Sequence, residues 1–231
     1  MPLLLNRRSL FAAMAAILSS SKPGEAKFER AFDISTADGT PIRNFRIAAG
    51  RSLSDLPGVI LAGPRDAGPI LYEFFDYGCG YCRVAAQELD VLLTPDAGVR
   101  SALVQHPVLS PRSADAARVV LAAARLHGDA AAYRLHVGLF ETPGPTGTEK
   151  ALAVAAAQGL RAAAVAEEAA REEIAAILAA QSERARALLL PQTPSFVLGE
   201  FAFVGWPGAA PMESFIEATR RCGGLRCPLP D

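Results

Sequence analysis

Ile70-Leu71-Tyr72-Glu73-Phe74-Phe75-Asp76-Tyr77-Gly78-Cys79-Gly80-Tyr81-Cys82-Arg83 is the stretch on which the reading of this chain turns. Residues 70–77 form a short apolar and aromatic run bounded by Gly68-Pro69 and Gly78, the pattern of a buried strand. Cys79 opens the next element, in which Val84, Leu89, Leu92 and Leu93 recur at helical spacing until Thr94-Pro95-Asp96 stops it. Two cysteines three apart at a helix start have a chemical consequence. The first thiol meets unpaired backbone N–H groups and the positive end of the helix dipole, so its thiolate is favoured. In such motifs the thiol pKa falls from about 8.5 to between roughly 3.5 and 7. Cys79 is therefore the expected nucleophile and Cys82 the thiol that resolves the mixed disulfide. Gly80 leaves the backbone near Cys79 accessible, and Tyr81 packs beside the pair; both tune it.

A C-x-x-C pair also suits zinc, which takes four ligands. Cys222 and Cys227 are the other two cysteines, but their spacing is looser than the usual one and they lie far along the chain. Cys79 also follows a strand directly, whereas metal knuckles sit in loops. A purely structural Cys79–Cys82 bridge would close a short, strained ring. For Cys222-Gly223-Gly224-Leu225-Arg226-Cys227 the preferred reading is a structural disulfide that pins the last helix. A second redox pair is the alternative. The three histidines, His106, His127 and His136, have no mutual spacing that makes a metal site, and no glycine-rich phosphate loop occurs. No metal or cofactor is expected.

Outward from the motif, residues 99–108 read as a second strand. Residues 113–190 are Ala-rich and helical, starting with a helix from Ser113, as N-cap, to Gly128. Further helices cover about 130–141, from Thr148 to Gly159, and one or two within 161–189. Ser195-Phe196-Val197-Leu198, Gly199-Glu200 and Phe201-Ala202-Phe203-Val204 read as a β-hairpin, and residues 212–221 as a final helix. Before the motif, Asp38-Gly39 sits between alternating apolar and polar residues, so 27–56 reads as a hairpin extension.

The 231 residues carry a net charge of −1, with 51% apolar and 20% charged residues. That is globular composition, and it gives nucleic acid nothing to bind. Arg7-Arg8 precede an apolar run at 10–18 too short to span a bilayer, and Gly24-Glu25-Ala26 fits a cleavage site. Residues 1–26 therefore read as an export signal. Asn6-Arg7-Arg8-Ser9-Leu10-Phe11 partly matches the twin-arginine pattern, and a Sec signal is the alternative. Four cysteines in two close pairs suit an oxidising compartment such as the periplasm.

With these residues placed, the chain resembles the DsbA-like thiol–disulfide oxidoreductases, whose thioredoxin fold carries an inserted helical domain. The carriers are residues 73–83, the helical block at 113–190 and Thr193-Pro194-Ser195-Phe196-Val197, over about 58–221. The resemblance implies an α/β thioredoxin-like domain over 57–231 with an all-α insertion. It implies that Pro194 follows a cis bond from Thr193 and that this loop holds an extended substrate beside Cys79. Glu73 matches the family's buried acid, which takes the proton of Cys82; a solvated strand carboxylate is the alternative. The implied activity is dithiol–disulfide exchange in folding proteins, as oxidant, with a membrane redox partner resetting the pair. Two features depart from the pattern: Gln192 replaces the usual Gly, and Gly80-Tyr81 replaces Pro or Pro-His and resembles the DsbC-type isomerases instead. Isomerase or reductase activity, and a non-catalytic metal-binding protein, are the alternatives.

Overall fold

The computed structural model describes residues 30–36, 38–48, 52–93 and 98–228. The export signal expected at 1–26 and the helix stop at Thr94-Pro95-Asp96 lie outside the described residues. Among the described residues six strands make one sheet: β1 (Arg43–Arg46), β2 (Ile60–Ala62), β3 (Ile70–Phe75), β4 (Arg100–Gln105), β5 (Ser195–Leu198) and β6 (Phe201–Val204), in the order β1-β6-β5-β3-β4-β2. Only β3 and β4 pair in parallel, across helix α1 (Gly80–Leu92); the other neighbours are antiparallel. That is a thioredoxin-like α/β sheet, and the signature strand lies near its middle.

Strand alternation divides β3 between two faces. Leu71 packs with Ala85 and Leu89 of α1 and with Met212, Phe215 and Ile216 of the last helix, α7 (Ala209–Cys222). Phe74 and Val104 turn the other way, onto Leu188, Leu190, Leu53 and Leu56. Glu73 shares its face with Leu71 and Phe75, so its carboxyl points under α1 and not into solvent.

Between β4 and β5 the chain makes five helices: α2 (Pro111–His127), α3 (Asp129–Glu141), α4 (Thr148–Ala157), α5 (Ala162–Ala169) and α6 (Glu172–Ala187). Ala116, Ala117, Ala122 and Ala123 of α2 are buried against this block. Alanine lets the helices approach closely, and Val120, Leu135, Leu139 and Phe140 fill the space between them.

Three details differ from the sequence expectations. The N-cap of α2 is Ser110, whose Oγ accepts from the Ser113 N–H at 3.2 Å, with Pro111 in the first turn. Proline suits that position because its missing N–H would be unpaired there anyway. Ser113 is instead a buried residue inside the helix. β4 is shorter than the strand expected at 99–108, because Asp76 captures the backbone beyond it. The edge strand β2, only three residues long, was not expected at all. A run that short carries no readable period.

Candidate active site

β3 ends at Phe75, and Asp76-Tyr77-Gly78 carries the chain into α1. Gly78 is required by space: a Cβ there would lie 2.9 Å from Ser113 Oγ and 3.2 Å from Asp76 Oδ1. Cys79 is the N-cap of α1, and its Sγ accepts from the Cys82 N–H at 3.4 Å. A cysteine there takes the place of the usual Ser or Asp, so the helix N-terminus solvates sulfur. The cis peptide bond between Thr193 and Pro194 brings the Thr193 carbonyl to within 3.3 Å of the same Sγ, which donates to it as a thiol. Pro194 is in turn held by the Gly205 N–H, which donates to its carbonyl at 2.8 Å. The four residues Cys79, Cys82, Thr193 and Pro194 therefore meet at one point, although more than a hundred positions separate the two pairs.

The two thiols are free and chemically unequal. Cys79 is lowered to about 6, first by a hydrogen bond from the Cys82 side chain, then by backbone N–H groups of Cys82 and Tyr81 and by Thr193, against the cost of burial. Cys82 is fully buried, and burial, with the Cys79 sulfur and Glu73 beside it, holds its thiol protonated. Glu73 is 1% exposed and has no hydrogen-bond partner for either carboxyl oxygen among the described residues. Burial, with Cys79 nearby, raises it to about 8. The solvated reading of Glu73 is thereby excluded. A carboxyl poised near neutral pH beside a buried thiol is the arrangement proton transfer needs.

Cys222 and Cys227 are bonded to each other at the end of α7. They are not available to complete a four-cysteine metal site with Cys79 and Cys82. Among the described residues no three His, Cys, Asp or Glu side chains gather as metal ligands. His106 is buried at the end of β4, where its Nε2 donates to the Leu190 carbonyl at 3.1 Å. His136 is buried next to the Tyr77 hydroxyl, and burial lowers it to about 3, so it stays neutral.

Two contributors were not read from the sequence. Asp76 is 1% exposed, and its carboxylate accepts from the backbone N–H groups of Gly78 (2.6 Å), Val108 (2.7 Å) and Leu109 (2.8 Å). It ties the cysteine turn to the segment before α2; Asp two residues before Gly, ahead of the motif, was the available signal. Trp206 donates its indole N–H to Glu88 Oε2 at 2.8 Å, which also accepts from the Ala209 N–H. Trp206 thereby faces a groove of about 680 Å³ that Cys79, Gly80, Tyr81, Thr193 and Pro194 also line.

The family model for thioredoxin matches residues 55–218. The chain belongs to the thioredoxin family. It is similar to a thioredoxin-like oxidoreductase from Silicibacter pomeroyi DSS-3, at 28% identity and a TM-score of 0.69, covering 76% of this chain and 99% of that one. The thiol-disulfide exchange protein alpha-DsbA2 from Wolbachia pipientis shares the fold at 20% identity and a TM-score of 0.64, over 70% of this chain and 87% of that one. BdbD from Bacillus subtilis, in its oxidised form, shares it at 16% identity and a TM-score of 0.64, over 82% and 98%. No curated protein sequence matches the chain. The DsbA-like resemblance read from the motifs thus agrees with this thioredoxin-family membership.

Proposed function

We propose that this protein is an exported oxidant that transfers the Cys79–Cys82 disulfide to thiols of folding proteins in the periplasm. A substrate thiolate attacks Cys79 Sγ. The Cys79–Cys82 bond breaks, and Cys82 leaves and takes a proton from Glu73. A second substrate thiolate then attacks the substrate sulfur of the mixed disulfide, forming the substrate disulfide and releasing Cys79 as thiolate. The substrate loses two electrons and the cysteine pair gains them. A membrane redox partner then re-forms the Cys79–Cys82 bond.

The observation that carries this reading is the inequality of the two thiols, with Cys79 lowered to about 6 and Cys82 buried and held protonated. Stabilising the leaving thiolate stabilises the reduced form and makes the disulfide a stronger oxidant. The N-terminal extension also supports the oxidant over a DsbC-type isomerase. Its strand β1 pairs with β6 of the same sheet instead of standing off as a separate dimerisation unit.

A glutathione redox titration, followed by alkylation and mass spectrometry of Cys79 and Cys82, tests the proposal. It expects reversible exchange with a potential near or above about −180 mV. A pair inert to glutathione, or shielded by bound metal, would refute it.

A further inference from the structure

The segment ahead of β1 is built into the wall of the groove beside Cys79. Asn44, fully buried, accepts from the Phe32 N–H at 2.8 Å and donates to the Phe32 and Ile42 carbonyls at 2.9 Å. The Ile42 N–H donates to Ile34, and Ser35 bridges Pro41. The turn between them is closed by the Thr36 N–H donating to the Thr40 carbonyl at 2.8 Å. Asp38 stands on this turn, with Oδ1 accepting from the Thr36 hydroxyl and from the Thr40 N–H. These bonds hold its carboxyl below the usual range, so it is ionised at neutral pH.

Thr36, Asp38 and Thr40 line the same groove as Cys79 and Trp206. At the other end the groove is apolar: Tyr81, Val108 and Leu109 are exposed there by 73%, 46% and 58%. Among its described lining residues Asp38 is the single Asp or Glu, and none is Lys or Arg. The groove therefore carries a fixed negative charge at one end and apolar side chains at the other.

The sheet supplies the spacing. Cys79 follows β3, and β3, β5, β6 and β1 are successive neighbours. Three strand steps at about 4.8 Å make roughly 14 Å, which an extended peptide covers in about four residues. We propose that the N-terminal hairpin is a specificity wall: Asp38 selects unfolded segments whose reactive cysteine lies about four residues from a Lys or Arg. This rests on the exchange reading above, because the occupant is the polypeptide that attacks or is attacked at Cys79.

The test uses the reduced full-length protein and two peptides, each with one cysteine activated as an aromatic disulfide. The peptides differ only four places before and after the cysteine, where both residues are Lys in one and Glu in the other. Cys79 thiolate attacks the peptide sulfur, the aromatic thiolate leaves with the electron pair, and its absorbance gives the rate. The Lys peptide is expected to react about fivefold faster at low ionic strength, with the gap closing as salt screens the charge. Asp38→Asn should abolish the gap and Asp38→Lys reverse it. Equal rates for the two peptides on the wild type overturn the inference, as does a gap that survives in Asp38→Asn. If neither peptide nor the free aromatic disulfide releases thiolate, the exchange reading itself falls, and the inference with it.

Discussion

Glu73 sees the Cys79 sulfur across buried space. Glu73 has no hydrogen-bond partner among the described residues, so its charge is opposed by burial and by the neighbouring sulfur. Between its ordinary 4.5 and about 8 the folded protein holds a proton that the unfolded chain has lost. The wild type therefore loses stability as pH rises through that window. Glu73→Gln removes this dependence, so urea denaturation of the reduced protein should find the variant gaining on the wild type from pH 4.5 to 8. The same substitution removes the proton donor to Cys82 and should slow dithiol exchange roughly tenfold or more, read by stopped-flow oxidation of a model dithiol peptide. An unchanged rate would leave Glu73 as a structural residue. Of this chemistry, the C-x-x-C and the acid six residues before it were legible in the chain. The resemblance implied a buried Glu73, and strand register is what decides it against a solvated carboxylate, by putting it on the face of Leu71 and Phe75.

At the scale of elements, one carboxylate couples the cysteine turn to the loop before α2. Asp76 takes three backbone N–H groups from two segments thirty residues apart in sequence. Asp76→Ala would leave partly buried donors unpaired, at about 1–3 kcal/mol for each one that water cannot reach. We expect a loss of about 3 kcal/mol in chemical denaturation. Limited proteolysis should cut first near Val108 and Leu109, which Asp76 holds at the groove. The elements that periodicity and turn chemistry mark most strongly, β3, α1 and the β5–β6 hairpin, were readable from sequence. Gly199 at φ +59° explains the last, since its turn demands a residue without a side chain. Of the elements that escaped, β2 is set by its long-range pairing with β4, whereas the start of α2 is set locally. Ser110 and Ser113 both fit a cap, and only Pro111 in the first turn separates them. The role of the N-terminal hairpin as a groove wall was equally invisible, because it depends on β1 pairing with β6 across most of the chain.

For the whole molecule, the redox state of one pair should set stability. In the reduced protein Cys79 is depressed from 9.0 to about 6, so its contribution is full above about pH 9 and fades as pH falls through 6. The oxidised protein has no such contribution. Denaturation curves should therefore find the reduced form the more stable between about pH 7 and 9, with the gap narrowing toward pH 6 and again above pH 9, where the unfolded Cys82 ionises and the buried thiol does not. A more stable oxidised form would mark Cys79–Cys82 as a structural bridge. Cys222–Cys227 joins the end of α7 to the segment that follows it. Among the described residues no helix is long and apolar enough to cross a membrane. The chemistry proposed above requires that the fold make Cys79 a thiolate at neutral pH while Cys82 stays a buried thiol. The rate of iodoacetamide alkylation of the reduced protein across pH, with the modified residue assigned by mass spectrometry, tests it most directly. Modification is expected at Cys79 alone, rising through a single transition near pH 6. A transition near the ordinary thiol value, or equal labelling of Cys79 and Cys82, would contradict it.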